Sequence, residues 1–158
     1  MKFNSLTDAD TFYLKKAFSE RSNSDDIKAI VSPQSAVGAV IANASGELSR
    51  SANVVPESVK RNKNSIVSYE NRYFIVEHAE RAALFKAYNL GLDLKDATLY
   101  CTRFPCSDCA RAIVWSPIRR LVLPSGFSGE KNWLNSQRAA LKMLRDAGVK
   151  IRYLKFNQ

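Results

Sequence analysis

The chain has 158 residues, 46% of them apolar and 25% charged, which suits one soluble, globular domain with a full hydrophobic core. No apolar run approaches the roughly 18 residues that would span a bilayer, and the N-terminus lacks a signal-peptide stretch, so the expected setting is cytoplasmic with no membrane partner. Twenty-four basic residues against 15 acidic ones leave a net charge of +9; this fits an anionic partner, a nucleotide phosphate or a nucleic acid backbone, and equally fits plain solubility.

The spacing of Phe12, Leu14 and Phe18 predicts a helix over residues 8–22, with Thr7 and Asp10 resembling its start signal. Residues 35–42 are apolar and β-rich, 43–47 read as a turn, and 48–55 as the returning strand of a hairpin. Residues 56–73 are polar and basic without a period and read as a long loop holding the densest basic cluster, Lys60, Arg61 and Lys63. A helix follows over 77–90, closed by Gly91, and then a strand over 97–102. After the turn at Pro105 come a short helix over 107–115 and a strand over 119–123. A second loop covers 125–131 with Gly126 and Gly129, then a helix over 132–146 and a last strand over 149–154. Strands alternating with helices predict an α/β fold, mostly parallel after the hairpin, without repeats or a second domain in residues 1–158.

Chemistry concentrates in two short pieces. His78-Ala79-Glu80 opens one predicted helix, and His78 is the only histidine. Pro105-Cys106-Ser107-Asp108-Cys109 opens another, its first cysteine 28 residues after His78. Imidazole nitrogen and thiolate sulfur are zinc ligands, and a C-x-x-C turn lets two sulfurs converge on one ion. A helix N-terminus lowers the thiol pKa through its exposed amides. Structural zinc sites use four protein ligands, whereas three evident ones leave a position for water. Cys101, the remaining cysteine, lies inside a predicted strand and reads as a small buried hydrophobe rather than a fourth ligand.

Glu80 is the candidate general acid/base. On an ideal helix it would point about 200° away from His78, so it can serve the same ion only if the metal lies off the helix end. Each piece alone is weak: a C-x-x-C can be redox-active or incidental, and a lone histidine is usually structural. A thioredoxin-like reading would leave the H-x-E unexplained.

In that order, H-x-E followed by P-C-x-x-C resembles the signature of the zinc-dependent cytidine and deoxycytidylate deaminases. The likeness is to the deoxycytidylate (dCMP) deaminase-like branch. It runs through SAVGAVIA, Ser51-Ala52-Asn53, EHAERAAL, LYCTRFPCSDCARAI, Trp133 with Ser136, and Met143-Leu144 with Ala147-Gly148-Val149. The resemblance implies a three-layer α/β/α fold, with a five-stranded mixed sheet and an N-terminal hairpin, and commonly a homo-oligomer. It also implies Zn2+ on His78, Cys106 and Cys109, with an activated water attacking C4 of a cytosine ring. Glu80 would pass protons to N3 and the departing amine, Asn53 would contact the sugar, and the Ala79 backbone the base edge. Phe104, Pro105 and Trp133 complete the candidate substrate-binding set, although Phe104 and Trp133 could instead fill the core. The segment around Asn53 lacks the glycine-rich form usual in deoxycytidylate deaminases.

The expected reaction is dCMP to dUMP with release of ammonia. The alternatives are editing of a base in tRNA or single-stranded DNA, or deamination of another free base such as guanine. A zinc-stabilised binding domain is a different class again, and it would have no use for Glu80. Editors need a basic track interleaved with aromatics. Here the aromatics are dispersed and the basic cluster is short, which favours the small nucleotide.

Overall fold

The computed structural model of the chain describes residues 3–60, 67–125 and 133–155. Helix α1 spans Leu6–Glu20. Its start is set by Ser5, whose Oγ accepts from the Asp8 N–H at 3.2 Å, two residues before the expected signal at Thr7. A short helix α2, Ile27–Val31, is capped by the Asp26 side chain. Strands β1, Gly38–Asn43, and β2, Gly46–Ala52, form the expected hairpin around a two-residue turn at Ala44 and Ser45, with a bulge where Leu48 has no partner between Ile41 and Ala42. The stretch read as one long loop contains two single-turn helices, α3, Glu57–Lys60, and α4, Arg72–Ile75. In the basic cluster only Lys60 falls within the described residues, and Gly126, Gly129 and most of the second loop lie outside them.

The remaining elements follow the expected order: α5 Ala79–Asn89, β3 Thr98–Cys101, α6 Ser107–Trp115, β4 Arg120–Pro124, α7 Leu134–Asp146 and β5 Lys150–Leu154. The five strands stand in the order β2-β1-β3-β4-β5. Both of β1's neighbours are antiparallel to it, and β3, β4 and β5 run parallel.

Side-chain alternation along the strands divides the core in two. Ala39, Ile41, Leu99, Cys101, Leu121 and Leu123 face a cluster shared with α5, α6 and α7. Val40, Ala42, Tyr100 and Val122 face the opposite side, where Tyr13, Leu14 and Ala17 of α1 cover them. The result is the three-layer arrangement. Helix α1 sits so close to β1 that a Cβ on Gly38 would lie 1.9 Å from the Ala17 carbonyl oxygen, a gap only glycine allows.

The same helix is latched electrostatically. Asp10, fully buried, accepts from both Arg120 nitrogens at 2.7 and 2.6 Å, from Arg152 at 2.9 Å and from the Tyr100 hydroxyl at 3.1 Å. Among the described residues no helix is long and apolar enough to cross a membrane.

Candidate metal centre and substrate cleft

Helices α5 and α6 start side by side beyond the sheet and carry the two motif pieces. The approach to α5 is held by a bridge between Val54 and Glu77, with backbone hydrogen bonds of 2.9 and 2.8 Å. This bridge delays the helix: it begins at Ala79 rather than Glu77, and His78 is its N-cap in extended backbone, φ −72° and ψ 147°. The 200° separation expected for two helical positions therefore does not apply. His78 leans off the helix end, and Glu80 stands in the first turn.

Cys106 repeats the arrangement as the extended N-cap of α6, with Cys109 one turn in. The Sγ atoms of Cys106 and Cys109 each lie 3.5 Å from His78 Nδ1, and all three donor atoms fall within 4.8 Å of one another. Tetrahedral zinc, with metal–nitrogen and metal–sulfur bonds of 2.0–2.3 Å, would separate adjacent nitrogen and sulfur ligands by about 3.6 Å. The donor set and its spacing fit that ion.

The protonation of the group follows from its crowding. Hydrogen bonding to Cys109, together with the His78 contact, lowers the Cys106 thiol to about 4 despite burial. Cys109 is pushed well above its usual value, first by the bond to Cys106 and then by burial. The contact with Cys106 likewise raises His78. His78, Cys106 and Cys109 would hold a cation as neutral imidazole and thiolates, so binding would release the protons these groups carry.

Cys101 is not a member of the group. It is wholly buried in the core cluster beneath α5, and burial raises its thiol well above the usual value. Glu80 is 4% exposed, and burial likewise raises its carboxyl. His78, Cys106 and Cys109 are all among the groups that act on this carboxyl electrostatically, so it lies beside the candidate metal group.

The expected substrate-contact residues divide. Asn53, Ala79, Phe104 and Trp133 line one cleft together with His78 and Cys106. Pro105 is buried and does not line it. Phe104 belongs to both environments, lining the cleft while packing on the core cluster. Trp133 meets the His78 ring edge-on, with centroids 5.9 Å apart. Nearby, Ser136 Oγ accepts from the Ser107 N–H at 2.8 Å, so α7 caps the start of α6.

The sequence reading missed part of the lining. Asp26, Lys28, Arg72 and Arg103 also line the cleft. Asp26 and Arg72 form a buried ion pair of 3.1 Å, their side chains 6% and 7% exposed, and Asn53 Nδ2 donates to Asp26 at 3.0 Å. No local pattern announces that pair, because its members lie 46 residues apart in short, aperiodic segments.

Comparison with known proteins agrees with this geometry. A "probable cytosine deaminase" of Schizosaccharomyces pombe is 39% identical over 75 residues, which cover 46% of this chain and 45% of that protein. Deoxycytidylate deaminase of Enterobacteria phage T2 is 35% identical over 74 residues, 47% of this chain and 36% of that one. The chain thus spans less than half the length of these curated relatives. The fold matches dCMP deaminase from the cyanophage S-TIM5, solved in complex with dCMP and dUMP, with a TM-score of 0.65 at 21% identity, covering 98% of this chain and all of that one. The family model for the cytidine and deoxycytidylate deaminase zinc-binding region matches residues 9–125, well over half of the chain, and the protein belongs to that family.

Proposed function

We propose that the protein hydrolytically deaminates a cytosine nucleotide, dCMP to dUMP, with release of ammonia. The observation that carries this reading is the convergence of His78, Cys106, Cys109 and buried Glu80 beside a cleft that Lys28, Arg72 and Arg103 also line. His78, Cys106 and Cys109 would hold zinc, which when bound activates a water for attack on an amino-bearing ring carbon. Glu80 handles the protons. Burial favours its neutral form, which suits a group that takes a proton and passes it to the ring nitrogen and then to the departing amine. A structural site would gain nothing from a buried carboxyl beside its ligands.

The base would enter against Ala79, whose backbone lies in the N-terminal turn of α5, where amide groups are left to bind a ligand. Trp133 and Phe104 would flank the ring and keep bulk water from it. Asn53 would meet the sugar. A homo-oligomer belongs to the same reading: Phe85 and Tyr88 on α5, and Trp115 at the end of α6, are exposed apolar surface that a second copy would cover.

The test is ammonia release from zinc-loaded protein across cytosine, cytidine, deoxycytidine, dCMP, dCTP, guanine and single-stranded oligonucleotides. The expected result is the highest kcat/KM on dCMP. Preference for oligonucleotides or for guanine would replace the substrate, and a protein inert on every member would remove the catalytic reading.

A further inference from the structure

His78 is the N-cap of α5, yet its side chain makes no capping hydrogen bond to the first turn, the usual task of a residue in that position. Its ring is turned to the two sulfurs instead, with Nδ1 3.5 Å from each. The backbone on both sides of it is held. In the peptide group between Glu77 and His78, the carbonyl accepts from the Val54 N–H at 2.9 Å, and the N–H donates to Glu77 Oε1 at 2.9 Å. In the next peptide group, the His78 carbonyl accepts the first helical bond, from the Ala82 N–H at 2.9 Å. With both planes fixed, the direction of the Cα–Cβ bond is fixed too, and only χ1 and χ2 are left to aim the imidazole.

One of those bonds comes from a side chain. In a capping box, the N-cap N–H is accepted by an acidic residue at the third helical position. Here that position holds Arg81, and the acceptor comes from Glu77, the residue before the cap. Arg81 holds the carboxylate in turn: Nε and Nη2 both donate to the same Oε1 at 2.5 Å. The two side chains are 20% and 31% exposed, and a lone pair of that kind contributes little stability. Cys109 and Asp108 both act on the Arg81 charge, so the pair lies beside the start of α6 as well as that of α5.

We propose that Glu77, held by Arg81, is a positioning residue for His78: its carboxylate oxygen fixes the backbone that aims the imidazole at Cys106 and Cys109, and so sets how tightly the centre keeps a metal ion. This rests on the zinc reading of the site and deepens it. Outer partners of metal ligands govern affinity by about 10–100-fold.

The experiment reads zinc retention rather than turnover. Wild type, E77A, E77Q, R81L and R111L are checked for folding by far-UV circular dichroism, loaded with zinc and titrated against a chromophoric chelator. R111L removes the Arg111–Asp108 pair, another ion pair within one turn of helix, which bonds to no ligand backbone. E77A should weaken zinc binding by about tenfold or more. E77Q keeps an oxygen for the His78 N–H and should recover most of that loss. R81L should weaken binding by a smaller factor, because Glu77 remains but is no longer held. R111L should match wild type. With Co2+ in place of zinc, E77A should keep the thiolate-to-metal absorption while its ligand-field bands shift, since only the aim of the imidazole has changed.

Wild-type affinity in folded E77A, equal losses in E77A and R111L, or an E77Q that binds no tighter than E77A would overturn the proposal. R81L carries the test alone if E77A does not fold, and unchanged zinc affinity in R81L would then overturn it. If wild type takes up no zinc, the metal reading fails and takes the proposal with it. Uptake by wild type with undiminished affinity in E77A sinks the proposal alone.

Discussion

Asn53 donates one amide hydrogen to Asp26 Oδ2 at 3.0 Å, and its own carbonyl oxygen is saturated by the Val37 N–H at 2.8 Å and the Ser24 hydroxyl at 2.9 Å. The backbone donor at Val37 fixes which way the amide faces. One N–H of Asn53 remains for a ligand, so any substrate group that meets it must be an acceptor.

Asp26 is the centre of that arrangement, and its removal should be costly. Asp26→Ala leaves the Arg72 guanidinium buried without its carboxylate and frees the Asn53 amide. The expected loss is about 3–5 kcal/mol of unfolding free energy, as for other broken buried pairs. Urea denaturation of the zinc-loaded protein measures it, and a change below ~1 kcal/mol would mean that water reaches the pair.

The candidate metal centre is expected to separate into holding and acting residues. Cys106→Ala and Cys109→Ala should abolish stoichiometric zinc, whereas Cys101→Ala should retain it and lose only some stability from the core. Glu80→Gln should retain zinc and lose about 10²–10⁴-fold in kcat. Metal analysis alongside ammonia release checks all four variants, and full turnover by the Glu80→Gln protein would remove this carboxyl from the mechanism.

The parts of this site that were legible in the sequence are those whose partners lie close in sequence. H-x-E and C-x-x-C each bring their donors into one turn of chain, and both sit at helix starts, where sequence signals are strong. The strands were legible because the sheet is covered on both faces. Asp10 was not. It read as a helix-start residue, but its partners Arg120 and Arg152 stand 110 and 142 residues away. Arg72 was hidden for a related reason, inside a four-residue helix too short to show a period. Glu80's placement needed the Val54–Glu77 bridge, which determines where α5 begins.

Gly38 should tolerate no side chain. A methyl group there meets the Ala17 carbonyl at 1.9 Å, so Gly38→Ala must push α1 away from the sheet. Overpacking of this kind costs about 1–3 kcal/mol or more. Thermal unfolding should show a clear fall in Tm; wild-type stability would mean that α1 shifts freely on β1.

Tyr100 gives the protein an alkaline limit. Burial first, and then Asp10 beside it, raise its phenol well above the ordinary value of 10.0. The folded state therefore binds this proton more tightly than the unfolded chain. The stability this contributes is complete below about pH 10 and is lost as pH rises beyond that. Unfolding free energy should fall less steeply above pH 10 in Tyr100→Phe than in wild type, and parallel curves would assign the alkaline limb to other groups.

The capping of α6 by Ser136 has a consequence for assembly of the candidate centre. The N–H it satisfies belongs to Ser107, next to Cys106, and Trp133 of the same segment touches His78. The last helix therefore helps to shape a centre whose candidate ligands all precede it in the chain. A polypeptide that has emerged only as far as β4 carries the three candidate ligands and Glu80 yet lacks the cleft residues of α7. The candidate centre is thus complete only once α7 has docked, and a chain cut after β4 would keep the three candidate ligands without the side chains that close the cleft over them.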